Sequence, residues 1–169
     1  MQSLRKLLDG AVMFVCVVLF IEMTIIGTYQ IVTRYFFNSP STVSEEIVTY
    51  RFTWLSVLAA AYVFGKRGHL AMTFLSAKFT GKPRIFLDMF SEILVILTAV
   101  ALLLYGGYVM VTENMDQVTN SLTISMGLVY AILPLSGAII LLYGIMNILD
   151  MFKALGSPDV DKYGAQQAD

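Results

Sequence analysis

Glu22 is the residue whose type and place most demand a chemical explanation, because it interrupts a stretch, residues 11–33, that otherwise carries no charge. An isolated carboxylate near the middle of a bilayer costs at least about 2.5 to 3.5 kcal/mol, so such a group is a functional candidate by default. Two kinds of chemistry suit it. One is proton coupling. The other is a protonated or hydrogen-bonded acid buried against a partner helix, and this is preferred because no second ligand for a substrate or an ion accompanies it.

A second pair of carboxylates, Glu45 and Glu46, opens a later apolar run. There the helix dipole favours negative charge by about 0.3 to 1 kcal/mol each, so capping alone explains carboxylates at this place. It does not explain two of them, with Arg34 at the end of the preceding helix and Arg51 just inside the next one as internal partners. Arg84, Asp88 and Glu92 step by four residues along one face, so Arg84 offsets Asp88. Glu92, one turn further in, calls for a basic group such as Lys66 or Arg67, or one on a partner. His69 is the single histidine and Cys16 the single cysteine, which excludes bis-His haem, a zinc site, a disulfide framework and a CxxC redox pair within the chain. His69 then reads as an interfacial polar group or a partner contact. No nucleophile-base pair, phosphate loop or metal-ligand cluster is present, so neither an enzyme nor a cofactor is expected.

The elements that must position these groups are membrane helices. Of 169 residues, 57% are hydrophobic and 14% charged, and the mean hydropathy is +0.74, far from the usual soluble balance. Apolar runs of about 20 residues predict four spans near residues 11–36, 45–65, 84–112 and 122–152. These form one all-α membrane domain over 1–155, with a polar tail at 156–169. The first run is too long for a signal-peptide core and carries no cleavage pattern, so it is expected to be retained as a helix.

Alternating four spans places nine of the eleven Lys and Arg residues on one side, leaving Arg34 and Arg51 on the other. Basic residues mark the cytoplasmic face, so both termini are expected inside and the turn at 37–44 outside. Between the second and third spans, His69, Thr73, Ser76 and Thr80 share a narrow polar face at helical spacing. This predicts an interfacial amphipathic helix near 69–81, with Lys66, Arg67, Lys78, Lys82 and Arg84 at the membrane surface. In the turn, Asn38 caps the first helix and Pro40 cannot continue it. Thr42 with Glu45 reads as a capping box, with Ser44 as an alternative N-cap. Small residues Gly127, Ala131 and Ala138 follow a stripe of the fourth span, and Ser56 with Ala60 does so on the second, which predicts close helix packing.

The same residues carry a resemblance. Arg34, Tyr35, Phe37-Asn38-Ser39-Pro40, Ser44-Glu45-Glu46, Trp54, Ala59-Ala60-Ala61 and Lys66-Arg67-Gly68-His69 together resemble the small membrane subunit (DctQ-like) of the tripartite ATP-independent periplasmic, or TRAP, transporters. Order and spacing match through about forty residues. Departures are Val43 for a common aromatic, Thr49 for a common basic residue and Thr73 for a common Asp. The resemblance implies a large membrane subunit holding substrate and sodium sites, and a periplasmic substrate-binding protein that docks transiently. It implies uptake of an organic acid across a bacterial inner membrane, most similar to systems for sialic acid. The residues expected to meet partners are Glu22, Arg34, Glu45, Glu46, Trp54, His69 and Glu92; nucleic acid has no part. The competing reading is a stand-alone proton-coupled antiporter built around Glu22. An anchor subunit of a respiratory complex is disfavoured by the single histidine.

Overall fold

The computed structural model describes residues 2–66 and 82–155. The expectations for His69, Arg67 and Lys78, for the interfacial helix near 69–81 and for the tail at 156–169 lie outside these residues. Among the described residues, four helical spans are long and apolar enough to cross a membrane: Ser3–Phe36, Thr42–Gly65, Pro83–Glu113 and Met126–Lys153.

Helix α1, Gln2–Phe36, has 35 residues, about 52 Å at 1.5 Å per residue. That exceeds the roughly 30 Å of a bilayer core, so its first turns carry Arg5 and Asp9 beyond the apolar run. It stops where Asn38 takes the left-handed conformation, φ 52°, which Asn tolerates better than most side chains. The Ser39 N–H returns to the Thr33 carbonyl at 3.1 Å, and Pro40 bars any further helix.

Helix α2, Thr42–Gly65, starts earlier than the charge pattern predicts, and its N-cap is Ser41. Neither Thr42 nor Ser44 caps it. Ser41 is still extended at φ −100° and ψ 106°, so its Oγ accepts the Ser44 N–H at 3.3 Å. Its carbonyl accepts the Glu45 N–H at 3.2 Å. Thr42 is already the first helical residue, and Ser44 sits where the capped donor must be.

The third span comprises α3 (Lys82–Thr98), a π-helical stretch (Ala99–Gly106) and α4 (Gly107–Glu113). The fourth comprises α5 (Met126–Tyr130) and α6 (Ile132–Leu155). Its helix begins later than its apolar run, because residues 114–125 fold into a loop closed by an isolated bridge between Val118 and Ser125. Ser125 ends that loop and caps α5, its Oγ accepting the Gly127 N–H at 3.2 Å. The interruption at Ala131 follows from Pro134, which has no N–H to give the Tyr130 carbonyl.

In space the spans stand in the order first, second, fourth, third: α1 packs on α2, α2 on α6, and α6 on the third span. Leu19, Leu58 and Ile132 join the first, second and fourth spans in one cluster, while Ala61, Ala99 and Ile140 join the second, third and fourth in another. Close approach is built on glycines, among them Gly127 of the predicted stripe, where a Cβ would meet the Val111 carbonyl oxygen at 2.7 Å. A Cβ on Gly144 would meet Ile96 Cγ1 at 2.5 Å, and one on Gly65 would meet the Tyr143 ring at 2.5 Å. By contrast Ser56, Ala60 and Ala138 are exposed. Period alone identified small residues but not the direction in which each helix turns them.

Candidate functional site

At the end of the bundle formed by the turn and the 114–125 loop, the adjacent carboxylates part company. Glu46 faces inward. Its Oε2 accepts the backbone N–H groups of Ser121 at 2.8 Å and Leu122 at 3.1 Å. Its Oε1 accepts from the Asn120 N–H at 3.2 Å and from the Tyr50 hydroxyl at 2.7 Å. Three successive N–H groups converging on one carboxylate form an anion-binding concavity, here filled from within the chain. Thr119, buried at the loop's base, adds its Oγ as acceptor for the Ile124 N–H at 3.2 Å. Glu45 points outward instead, 4.0 Å from Arg34 Nη2, with both side chains about half exposed.

Arg51 is not a partner of these carboxylates. Its Nε lies 3.3 Å from Glu22 Oε2, so the isolated acid of the first span is ion-paired across to the second. The contact is Coulombic rather than a hydrogen bond, since Glu22 Oε2 is covered yet has no aligned donor. The side chains of Arg51 and Glu22 remain 39% and 42% exposed. Both line a cleft of about 730 Å³ between the first, second and fourth spans, with otherwise mainly apolar walls that include Ile26, Ile47 and Leu128. Trp54 also lines it and donates its indole N–H to the Val129 carbonyl at 2.9 Å. That bond ties the second span to the fourth next to the Pro134 interruption.

At the opposite end, polar groups of all four spans interlock. Arg5 reaches from α1 to the Gly65 carbonyl at 2.9 Å, Asn147 Oδ1 at 2.8 Å and Asp150 Oδ2 at 3.3 Å. Asn147, fully buried, donates its amide to Glu92 Oε1 at 2.8 Å. Glu92 itself is buried. Asp9 accepts the Tyr143 hydroxyl at 2.7 Å. Lys66, just beyond α2, places its Nζ 4.7 Å from the Tyr62 ring centroid, and the Tyr62 side chain holds its ammonium above the ordinary lysine range. Arg84 stands half-buried in the first turn of the third span.

The site residues therefore separate into four groups: Glu45 with Arg34, Glu46 with the 120–122 backbone, Trp54 in the cleft with Glu22 and Arg51, and Glu92 far away among the termini. Glu22 joins Arg51. Sequence reasoning passed over Arg5, Asp9, Tyr50, Tyr143, Asn147 and Asp150. A signal existed for one of them, since Asn147 is an amide inside the last turn of the apolar run that ends at Leu149. Among the described residues no cluster of His, Cys, Asp and Glu could hold a metal ion.

Known proteins share this chain's sequence pattern along most of its length. The family model described as the DctQ component of tripartite ATP-independent periplasmic transporters matches residues 23–154. A protein of Haemophilus influenzae described as a TRAP transporter small permease is 25% identical over 140 residues, covering 83% of this chain and 86% of its own. The sialic acid TRAP transporter small permease protein SiaQ of Vibrio cholerae is 27% identical over 155 residues, 92% of this chain and 89% of that one.

Proposed function

The chain belongs to the DctQ component family of the tripartite ATP-independent periplasmic transporters, and from that premise we propose that it stabilises and orients the large membrane subunit of such a transporter. It is a small permease subunit, and its relatives are transporter subunits. The family's tripartite organisation gives it a large membrane subunit and a binding protein as companions. In this reading residues 1–155 form one domain of the bacterial inner membrane, both termini and the tail at 156–169 are cytoplasmic, and the loop end faces the periplasm.

The observation that carries the scaffold role is the network of Arg5, Gly65, Glu92 and Asn147. Polar groups within the spans bind one another across helices, which is how a rigid support is built in lipid, where interhelical hydrogen bonds and packing replace the hydrophobic effect. Glu46 and Trp54 serve the same end at the other side. Glu22, Arg34 and Glu45, being half exposed, keep their assignment to a partner surface, and His69, in the cytoplasmic connection between the second and third spans, keeps its own as a separate contact. Lys66, Arg67, Lys78, Lys82 and Arg84 meet lipid phosphate at the cytoplasmic boundary. The transported substrate is an organic acid driven by sodium; sialic acid is the first to test, because one relative is named for it.

The antiporter reading loses its motive. Glu22 is not a lone carboxylate, since Arg51 stands 3.3 Å away, and the family is one of transporter subunits. Co-expression with the neighbouring large membrane protein tests the proposal: the tagged chain should retain it through purification, and reconstituted vesicles should take up sialic acid only with sodium, the binding protein and both membrane subunits. Uptake by this chain alone would refute the scaffold role.

A further inference from the structure

We infer that the cleft between the first, second and fourth spans receives a transmembrane helix of the large subunit, which inserts a neutral side chain able both to donate and to accept hydrogen bonds beside Glu22 and Arg51. This rests on the proposed assembly and adds which face makes it and with what chemistry. The ion pair lies deep. Glu22 is fourteen residues from the end of α1 at Phe36, about 21 Å along a helix, and Arg51 is nine residues into α2, about 14 Å along it. Charged side chains at such depths face protein or water rather than hydrocarbon. Here they line an opening whose other walls are mainly apolar, so a wall is missing from this chain.

The chemistry of the gap selects its occupant. The Glu22 side chain stays 42% exposed, and because its Oε2 is covered by this chain the open part of the carboxylate is Oε1, which accepts no hydrogen bond from the described residues, while only Nε of the Arg51 guanidinium faces Glu22, leaving further N–H donors in want of acceptors. The pair is electrically neutral, so an additional ion of either sign would bring an uncompensated charge into a low dielectric. An Asn or Gln amide, or a Ser or Thr hydroxyl, both donates and accepts and satisfies both partners. A lipid headgroup does not reach this deep, because the bilayer midplane is only about 15 Å from the interface, and an acyl chain offers no hydrogen bond. Ile26, Ile47 and Leu128 then pack against apolar neighbours on the same incoming helix.

The test uses the assembled complex in native membranes. A photoreactive benzoylphenylalanine replaces Ile47 or Leu128 in the cleft, or Phe90, an exposed residue on the outlying third span. Irradiation should join the chain to the large subunit from Ile47 and Leu128 and not from Phe90. Adducts with lipid alone from the cleft, or a large-subunit adduct only from Phe90, overturn the inference. In parallel, Glu22→Leu combined with Arg51→Leu should weaken association with the large subunit about 3- to 30-fold, the range expected for one interhelical hydrogen bond in a membrane; unchanged affinity overturns it. Purification of the unmodified chain with no larger membrane protein would strike the assembly itself, whereas co-purification without cleft adducts strikes only the occupant.

Discussion

Glu45 and Glu46 are adjacent and chemically alike, yet their surroundings give them unlike weights. Glu46 accepts three backbone N–H groups and the Tyr50 hydroxyl, and removing it strands those donors. Hydrogen bonds to a charged group contribute about 1.5 to 3 kcal/mol, and an abandoned donor costs about 1 to 3 kcal/mol. Glu46→Ala should therefore loosen the loop, seen as faster amide hydrogen exchange across residues 114–125. Glu45→Gln loses only an exposed pair to Arg34 at 4.0 Å, a change of at most about 1 kcal/mol, and exchange in the loop should stay as it was. Equal effects of the two substitutions would contradict the division of labour. The second carboxylate at this helix start thus has a specific cause: one braces the loop, and the other is free for the surface.

Helix by helix, the bundle depends on where backbones approach, and glycines report this directly. Gly65 closes α2 against the face of Tyr143, and its carbonyl also receives Arg5. Gly27 lies on α1 with nothing within 4 Å of a built Cβ. Gly65→Ala should therefore lower stability by about 1 to 3 kcal/mol through overpacking. Gly27→Ala should raise it by up to about 1 kcal/mol, because Ala is the better helix former. Thermal unfolding of the two purified variants in the same detergent checks the sign of each. The irregular elements also have local reasons. The π stretch Ala99–Gly106 runs into Gly107, where a Cβ would lie 2.9 Å from Pro134 Cδ, so the interrupted third and fourth spans meet at their interruptions. Trp54 braces the fourth span at that level.

For the molecule as a whole, orientation is the property that the distribution of nine and two basic residues foretells. In a Cys16→Ser background, Gln117→Cys should react with an impermeant thiol reagent in intact spheroplasts. Lys6→Cys should react only after lysis, and the reverse pattern would invert the topology. The number of spans and their approximate extents were legible in the chain because the bilayer imposes them one segment at a time. Each backbone polar group must be paired within its own helix, so a run of apolar residues suffices to announce a span. Asn38 and Pro40 ended the first helix as local chemistry requires, and the family resemblance rested on residues close together in the chain. The pairings inside the bundle were decided only by tertiary structure. Glu46 meets Ser121 across 75 positions and Arg5 meets Asn147 across 142, while Arg51, close to the turn in sequence, pairs with Glu22. Hydropathy specifies which residues enter the membrane, but it does not specify the rotation of each helix about its axis. That rotation follows from packing glycines against Ile96 and Tyr143, and it determines which charge faces which.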